Sequence, residues 1–364
     1  MKILVGMPSK DSWGGPIACE PPFVESLRQF GHQVFEETYV YGENEKSISF
    51  FERIQRVVKT ALRFRKLLKN NSFDIIHLNT AFDLKTILRD AFSIFLMKPG
   101  NAKIFLKLHG SKAEAFQKTS FIVNFLIRYL SRKVDGFGVL SQEEKENFIR
   151  LSFDENKIYR VKNVIDIDQK QISSRKSVSK VKDDFFELIY VSRFIPTKGL
   201  LETIRACKIL ADSGYRFRLH CLGDGETRQN AEKEAKKLGL DKTIIFTGYI
   251  PEDEVDKHLI ESDILIFPSR HNEGFPMVIF KAVALGIPLV TTKIRAAADY
   301  LVENENALFC TQEPEIIAEK IIILFENQQL QSKMSQNNLA FGKSLLPDKI
   351  ANEFLEIYQK IIAG

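Results

Sequence analysis

Short apolar runs alternate with longer stretches in which apolar residues recur every three to four positions, and this alternation is repeated along the chain. In the first half the β-type runs lie at 2–7, 32–36, 74–78, 104–109, 136–140 and 158–161. Segments of helical period, at 22–29, 48–68, 84–97, 113–131 and 142–151, separate them. Residues 169–184, QKQISSRKSVSKVKDD, break the pattern, being polar and without a period. It resumes with runs at 186–191, 217–222, 243–247, 263–267 and 288–292, and the end of the chain, from about 332 to 362, is helical by period. Strand–helix alternation of this kind predicts parallel sheets with helices on both faces. The expected organisation is a doubly wound α/β domain over 1–168, a linker at 169–184 and a second such domain over 185–345. The final helix, 346–364, is expected to pack back on the first domain. Ligands of such sheets sit beyond the carboxyl ends of the strands, so the loops there are the places to search.

With 364 residues and 44% apolar composition the chain can support two cores. No run of some 20 apolar residues suggests a membrane span. The start, MKILVGMPSK, reads as a first strand rather than a signal peptide, and a cytoplasmic location is expected. Cys19, Cys207, Cys221 and Cys310 stand singly, in no zinc-binding or disulfide pattern. Charge changes the picture more. Residues 1–170 hold 27 Lys and Arg against 20 Asp and Glu, whereas the remainder is slightly acidic within an overall +5. A basic first half implies an anionic partner.

Three strand-end loops carry candidate chemistry. Gly14 and Gly15 follow the first strand; such a pair forms a flexible turn or lets a ligand approach the backbone closely. They do not make the dinucleotide-binding glycine pattern. Arg193 and Lys198 flank a short loop after the apolar LIYVS. They are either solvated surface charges or a clamp for a diphosphate. In the third loop Pro276 stands where a first helical residue belongs, so the amides of Met277 and Val278 would face an anion. Glu273 just before it would either accept hydrogen bonds from sugar hydroxyls or stabilise the helix start.

VSRFIPTKG, LGDGETR, FTGYIPEDEV, SDILIFPS and NEGFPMVIFKAVALGIPLVTT, in that order, resemble the motifs of the family-4 retaining glycosyltransferases. DIIHLNT, LKLHGS and VLSQEE resemble the family's first domain. The resemblance implies the GT-B fold of two Rossmann-like domains facing a cleft. It also implies metal-independent transfer from a nucleotide sugar, a UDP-sugar in preference to a GDP-sugar, to a glycan or lipid-linked acceptor, with no further cofactor. Residue by residue it sets Gly14 and Gly15 near the donor phosphates or the acceptor, and Arg193 and Lys198 on the diphosphate. Tyr249 and Ile250 would lie near the nucleobase, Glu273 on the donor sugar, and the amides after Gly274, from Phe275 onward, on the leaving phosphate. His109 would lie near the sugar. Where the family has a second glutamate, for the ribose, this sequence has Lys281. An ammonium only donates hydrogen bonds, so its acceptor is the donor diphosphate, the ribose oxygens or Glu273, and the expectation favours Lys281 leaning back to the diphosphate. A binding protein without turnover and a nucleotide-sugar epimerase are the rival readings.

One further pattern concerns partners. In 51–70, Ile54, Val57, Val58, Ala61 and Leu68 fall on one helical face, and Arg53, Arg56, Lys59, Arg63 and Lys66 largely on the other. Such a helix either packs on the sheet or docks on an anionic membrane at its inner face. The apolar 116–128, with basic flanks, is either a core helix or an interfacial patch. No nucleic-acid-binding motif is visible.

Overall fold

The structure is a computed structural model that describes residues 1–9, 15–39, 49–117, 120–168, 172, 185–270 and 273–364. The chain forms two compact units, Met1–Asp166 with Leu346–Gly364, and Ile167–Leu345. Gly14 and all of 169–184 except Ile172 lie outside the described residues.

The first unit is built on one parallel sheet of six strands: β1 (Lys2–Met7), β2 (Gln33–Thr38), β3 (Ile75–Phe82), β4 (Lys103–Ser111), β5 (Gly136–Val139) and β6 (Ile158–Arg160), in the order β2-β1-β3-β4-β5-β6. Its helices are α1 (Gly15–Gln29), α2 (Phe50–Asn70), α3 (Leu84–Met97), α4 (Phe121–Lys133) and α5 (Gln142–Arg150). The chain returns after the second unit to add α13 (Pro347–Ala363), which packs on α1. Strands β3 and β4 are buried along most of their length, with apolar residues interrupted by His77, Asn79, Lys107 and His109.

The second unit has strands β7 (Phe185–Val191), β8 (Arg216–Leu222), β9 (Ile244–Gly248), β10 (Ile264–Phe267), β11 (Leu289–Thr292) and β12 (Leu308–Cys310) in the order β12-β11-β10-β7-β8-β9, again parallel. Around it lie α6 (Leu200–Asp212), α7 (Arg228–Lys237), α8 (Glu252–Glu261), α9 (Met277–Ala284), α10 (Arg295–Tyr300), α11 (Pro314–Glu326) and α12 (Gln328–Gly342). Strand order reverses between β7 and β10, and a crevice opens outside the carboxyl ends of such a pair.

Several expectations are corrected. The helix read over 113–131 is a 3₁₀ turn at Ala113–Phe116 and then α4, because the Ser120 side chain accepts from the Val123 N–H and starts a new helix. The terminal helix is two helices, since Pro347 has no N–H with which to continue the first. Helix α1 begins at Gly15, not residue 22, with Pro21 and Pro22 inside it. Strand β12, only three residues long, escaped the periodicity reading. Ile54, expected on the packed face of α2, is exposed, while Ala61 and Phe64 form that face.

Candidate active site

In the second unit the loops after β7, β8 and β10 are tied together. The Arg270 N–H donates to Thr197 O at 2.8 Å, and the buried Gln312 amide donates to both Thr197 O (3.0 Å) and Pro268 O (2.6 Å). Gly199 sits between them at φ +79°, where an added Cβ would lie 2.7 Å from Pro268 O. The loop after β8 joins through Phe194 N–H to Asp224 O, 2.8 Å, and Thr227 N–H to Phe194 O, 3.0 Å. Gly223 makes this possible: at φ +133° a Cβ would stand 1.8 Å from Ser192 O.

This scaffold brings Lys198 and Glu273 into direct contact as an ion pair, with Lys198 buried and Glu273 half-buried. Burial, and then the nearby Arg193 guanidinium, press the Lys198 ammonium down to about 7. The touching Glu273 carboxylate opposes both. It is the nearest charge, and we therefore describe Lys198 as ammonium. Arg193 is exposed on the same loop. Helix α9 starts beside this pair, one residue later than expected: Pro276 is its N-cap and Met277 its first residue. Pro276 O accepts from the N–H groups of Ile279 and Phe280, so those of Met277 and Val278 lie ahead of them at the positive end. Gly274 and Phe275 are buried; Phe275 stacks on Phe280, ring centroids 3.7 Å apart, which fixes the approach to the helix. Tyr249 is exposed and Ile250 half-buried after β9. Arg193, Lys198, Glu273 and the α9 start thus lie together in the loops at the carboxyl ends of β7 and β10.

Lys281 is the correction. Its ammonium does not lean towards the helix start but pairs with Asp256 at 2.8 Å and Glu252 at 2.9 Å, both on α8. Burial works against its charge, but the two carboxylates outweigh burial and hold it above the usual lysine range. The signal was present in the sequence, since Glu252 and Asp256 are spaced i,i+4 and share one helical face.

In the first unit His109 ends a buried polar network at the carboxyl ends of β3 and β4. Lys107 and Glu20, both fully buried, pair at 2.6 Å. The Asn79 amide donates to Glu20 (3.0 Å) and to Gly6 O (3.1 Å), which turns its Oδ1 towards His109 Nε2 at 2.8 Å. Nε2 therefore carries the proton, and burial lowers the His109 pKa, favouring the neutral ring. Burial alone would raise Glu20; the Lys107 ammonium and then His109 hold it well below the carboxylate range. Donor atoms of Cys19, Glu20 and His109 lie within 4.8 Å of one another. They do not suit a metal ion, because Lys107 already occupies the carboxylate and burial pushes the Cys19 thiol well up. The sequence reading missed Asn79, Glu20 and Lys107, since nothing local links positions in three separate elements. Gly15 opens α1, half-buried.

Of the basic positions on α2, Arg56, Lys59 and Lys66 are exposed, Arg53 is half-buried, and Arg63 pairs with Glu37 at 3.1 Å. Among the described residues, no helix is long and apolar enough to cross a membrane.

Two Rossmann-like parallel sheets, with a basic loop and a helix start at one switch point, define a GT-B transferase. Residues 23–169 match Glycosyltransferase Family 4 and residues 171–340 match Glycosyl transferases group 1; the chain belongs to this glycosyltransferase family. An uncharacterized glycosyltransferase of Methanocaldococcus jannaschii is 25% identical over 82% of this chain and 78% of its own. The capsular polysaccharide biosynthesis glycosyltransferase CapM of Staphylococcus aureus is 27% identical over 64% of this chain and 63% of its own. Among solved structures, Anabaena HepE in complex with UDP superposes with a TM-score of 0.74 at 17% identity, covering 99% of this chain and 100% of that one.

Proposed function

We propose that this glycosyltransferase is a retaining, metal-independent enzyme that takes its sugar from a nucleotide sugar, UDP-sugar in preference to GDP-sugar. The observation that carries the reading is the assembly of Arg193, Lys198, Glu273 and the α9 start in the loops after β7 and β10. Two cations and a helix N-terminus suit a diphosphate, and a carboxylate beside them suits sugar hydroxyls. The UDP complex of HepE, a protein of the same fold, supports the choice of nucleotide. As the bond from the anomeric carbon to the phosphate oxygen breaks, negative charge grows on the leaving phosphate. Arg193, Lys198 and the amides of Met277 and Val278 stabilise that charge. The acceptor hydroxyl attacks from the same face, and a leaving phosphate oxygen takes its proton. Arg193 and Lys198 do the neutralising that a divalent cation does in other transferases.

The acceptor is a glycan or lipid-linked glycan of a cell-surface polysaccharide or glycolipid, handled by the first unit at the cytoplasmic face of the membrane. The capsular role printed in the name of CapM supports this reading. The test is transfer from a panel of nucleotide sugars, with the product's anomeric configuration read by NMR and chelator present throughout. Retention from one UDP-sugar is expected. Arg193→Ala and Lys198→Ala should each weaken UDP binding or turnover by about tenfold or more. UDP binding with no turnover on any donor would leave a binding protein, and wild-type kinetics in both variants would move the diphosphate elsewhere.

A further inference from the structure

Helix α3 has two apolar stripes where a surface helix normally has one. Ile87, Ala91, Ile94 and Met97 are buried in the core of the first unit. Leu84, Leu88, Phe92 and Phe95, at spacings of four, four and three, are exposed along the flank of that buried stripe. The adjoining helix α4 repeats the arrangement: Val123, Ile127 and Leu130 are buried, whereas Phe121 is 85%, Phe125 62% and Ile122 68% exposed. Helix α3 packs between α2 and α4, so these side chains lie on neighbouring helices.

From this surface we propose that α3 and α4 form a docking face for an anionic lipid bilayer, with Phe95, Phe121 and Phe125 entering the acyl boundary. Charge chooses the occupant. Residues 84–133 hold ten Lys and Arg against two Asp and Glu, of which Lys107 and Asp90 are buried. Lys85 and Lys98 on the α3 side and Arg128 and Arg132 on the α4 side are exposed. On α2, Arg56, Lys59 and Lys66 are exposed as well. Exposed aromatics next to clustered cations match the two contributions of an interfacial surface: apolar burial and attraction to anionic headgroups. A second copy of the chain would have to bring these cations against themselves, which disfavours a self-paired face. The inference deepens the lipid-linked acceptor reading above but does not need it, because vesicle binding is measured without any acceptor.

The full chain is sedimented with phosphatidylcholine vesicles and with vesicles also containing phosphatidylglycerol, at low and high salt. Binding only to the second kind is expected, weakened by salt. The Phe95→Ser, Phe121→Ser, Phe125→Ser triple variant should lose about tenfold or more of that binding, with thermal unfolding and UDP affinity unchanged. Because all three side chains are exposed, the variant should fold; if it does not, Phe121→Ser alone carries the same expectation with a smaller loss. Lys85→Gln with Arg128→Gln and Arg132→Gln should reduce binding and flatten its salt dependence. Wild-type protein that ignores anionic vesicles at low salt overturns the proposal. So does triple-variant binding equal to wild type, which would leave attraction by the basic helix α2 alone. A wild-type dimer that the triple variant converts to monomer overturns it in favour of a second copy. In none of these cases is the transfer assay affected, so the failure of the enzymatic reading is seen separately.

Discussion

Burial and the Arg193 charge work to strip the proton from Lys198, and the Glu273 carboxylate in contact with it keeps the proton there. Glu273→Gln removes that hold. Burial and Arg193 then act unopposed, and the Lys198 amine of the variant should lose its proton at a lower pH than in the wild type. Between about pH 6 and 9 the UDP affinity of Glu273→Gln should therefore fall with rising pH, and the fall should begin at a lower pH than in the wild type. Calorimetric titration across that range decides it; a flat profile in the variant would show that the pair does not govern the charge. The Glu20–Lys107 pair makes the opposite kind of residue-scale case, because it lies wholly inside the first unit. Removing one partner strands a buried charge, so Glu20→Gln or Lys107→Met should each cost about 3–5 kcal/mol in denaturant unfolding. Replacing both together should cost less than the sum. Additive losses would mean that the two charges are satisfied independently. Lys281→Met likewise leaves Asp256, nearly buried, without its ammonium, and should lower stability without selectively weakening UDP relative to uridine.

At the scale of elements, the arrangement of the loops after β7 and β8 depends on backbones coming closer than side chains permit. Gly223→Ala combines a positive φ with a Cβ placed 1.8 Å from Ser192 O, so the loops after β7 and β8 must part. Loss of UDP binding and destabilisation of about 2 kcal/mol or more are expected; unchanged binding would mean that the β8 loop does not hold Arg193 in place. Elements themselves were legible where period and length agreed: α3 was read with its observed bounds and β1 likewise. They were misread where a local cap overrode the period, as at Ser120, or where an apolar run was too short to stand out, as at β12. The second stripe of α3 was invisible for a related reason. A wide apolar arc reads from sequence as a single core-facing stripe, and only the packing shows which part of it is left uncovered.

At the scale of the whole molecule, the chain completes its first unit with its last helix. Tyr358 on α13 hydrogen-bonds His77 of β3, and Phe354 packs edge-on against Phe23 of α1. A chain ending at Leu345 removes both from the core. Such a protein should lose the cooperative unfolding of the first unit while the second, contiguous from Ile167 to Leu345, still binds UDP. Protection of amides in hydrogen exchange, unit by unit, checks this. Protection of β1, β3 and β4 equal to that of the full chain would show that the helix is dispensable.

What the sequence determined by itself was the fold class, the strand-end loops and the residue types they carry, Arg193, Lys198 and Glu273 among them. These are written in local periodicity and in contiguous motifs such as SRFIPTKG and NEGFP, which a reader meets in order. Tertiary structure decided the partners. Lys281 meets Asp256 and Glu252 across two helices, Lys107 meets Glu20 across 87 positions, and Gln312 ties two loops that are far apart in the chain. Charge and hydrogen-bond partners are set by proximity in space, and sequence distance carries no measure of that until the sheet order has brought the strands together.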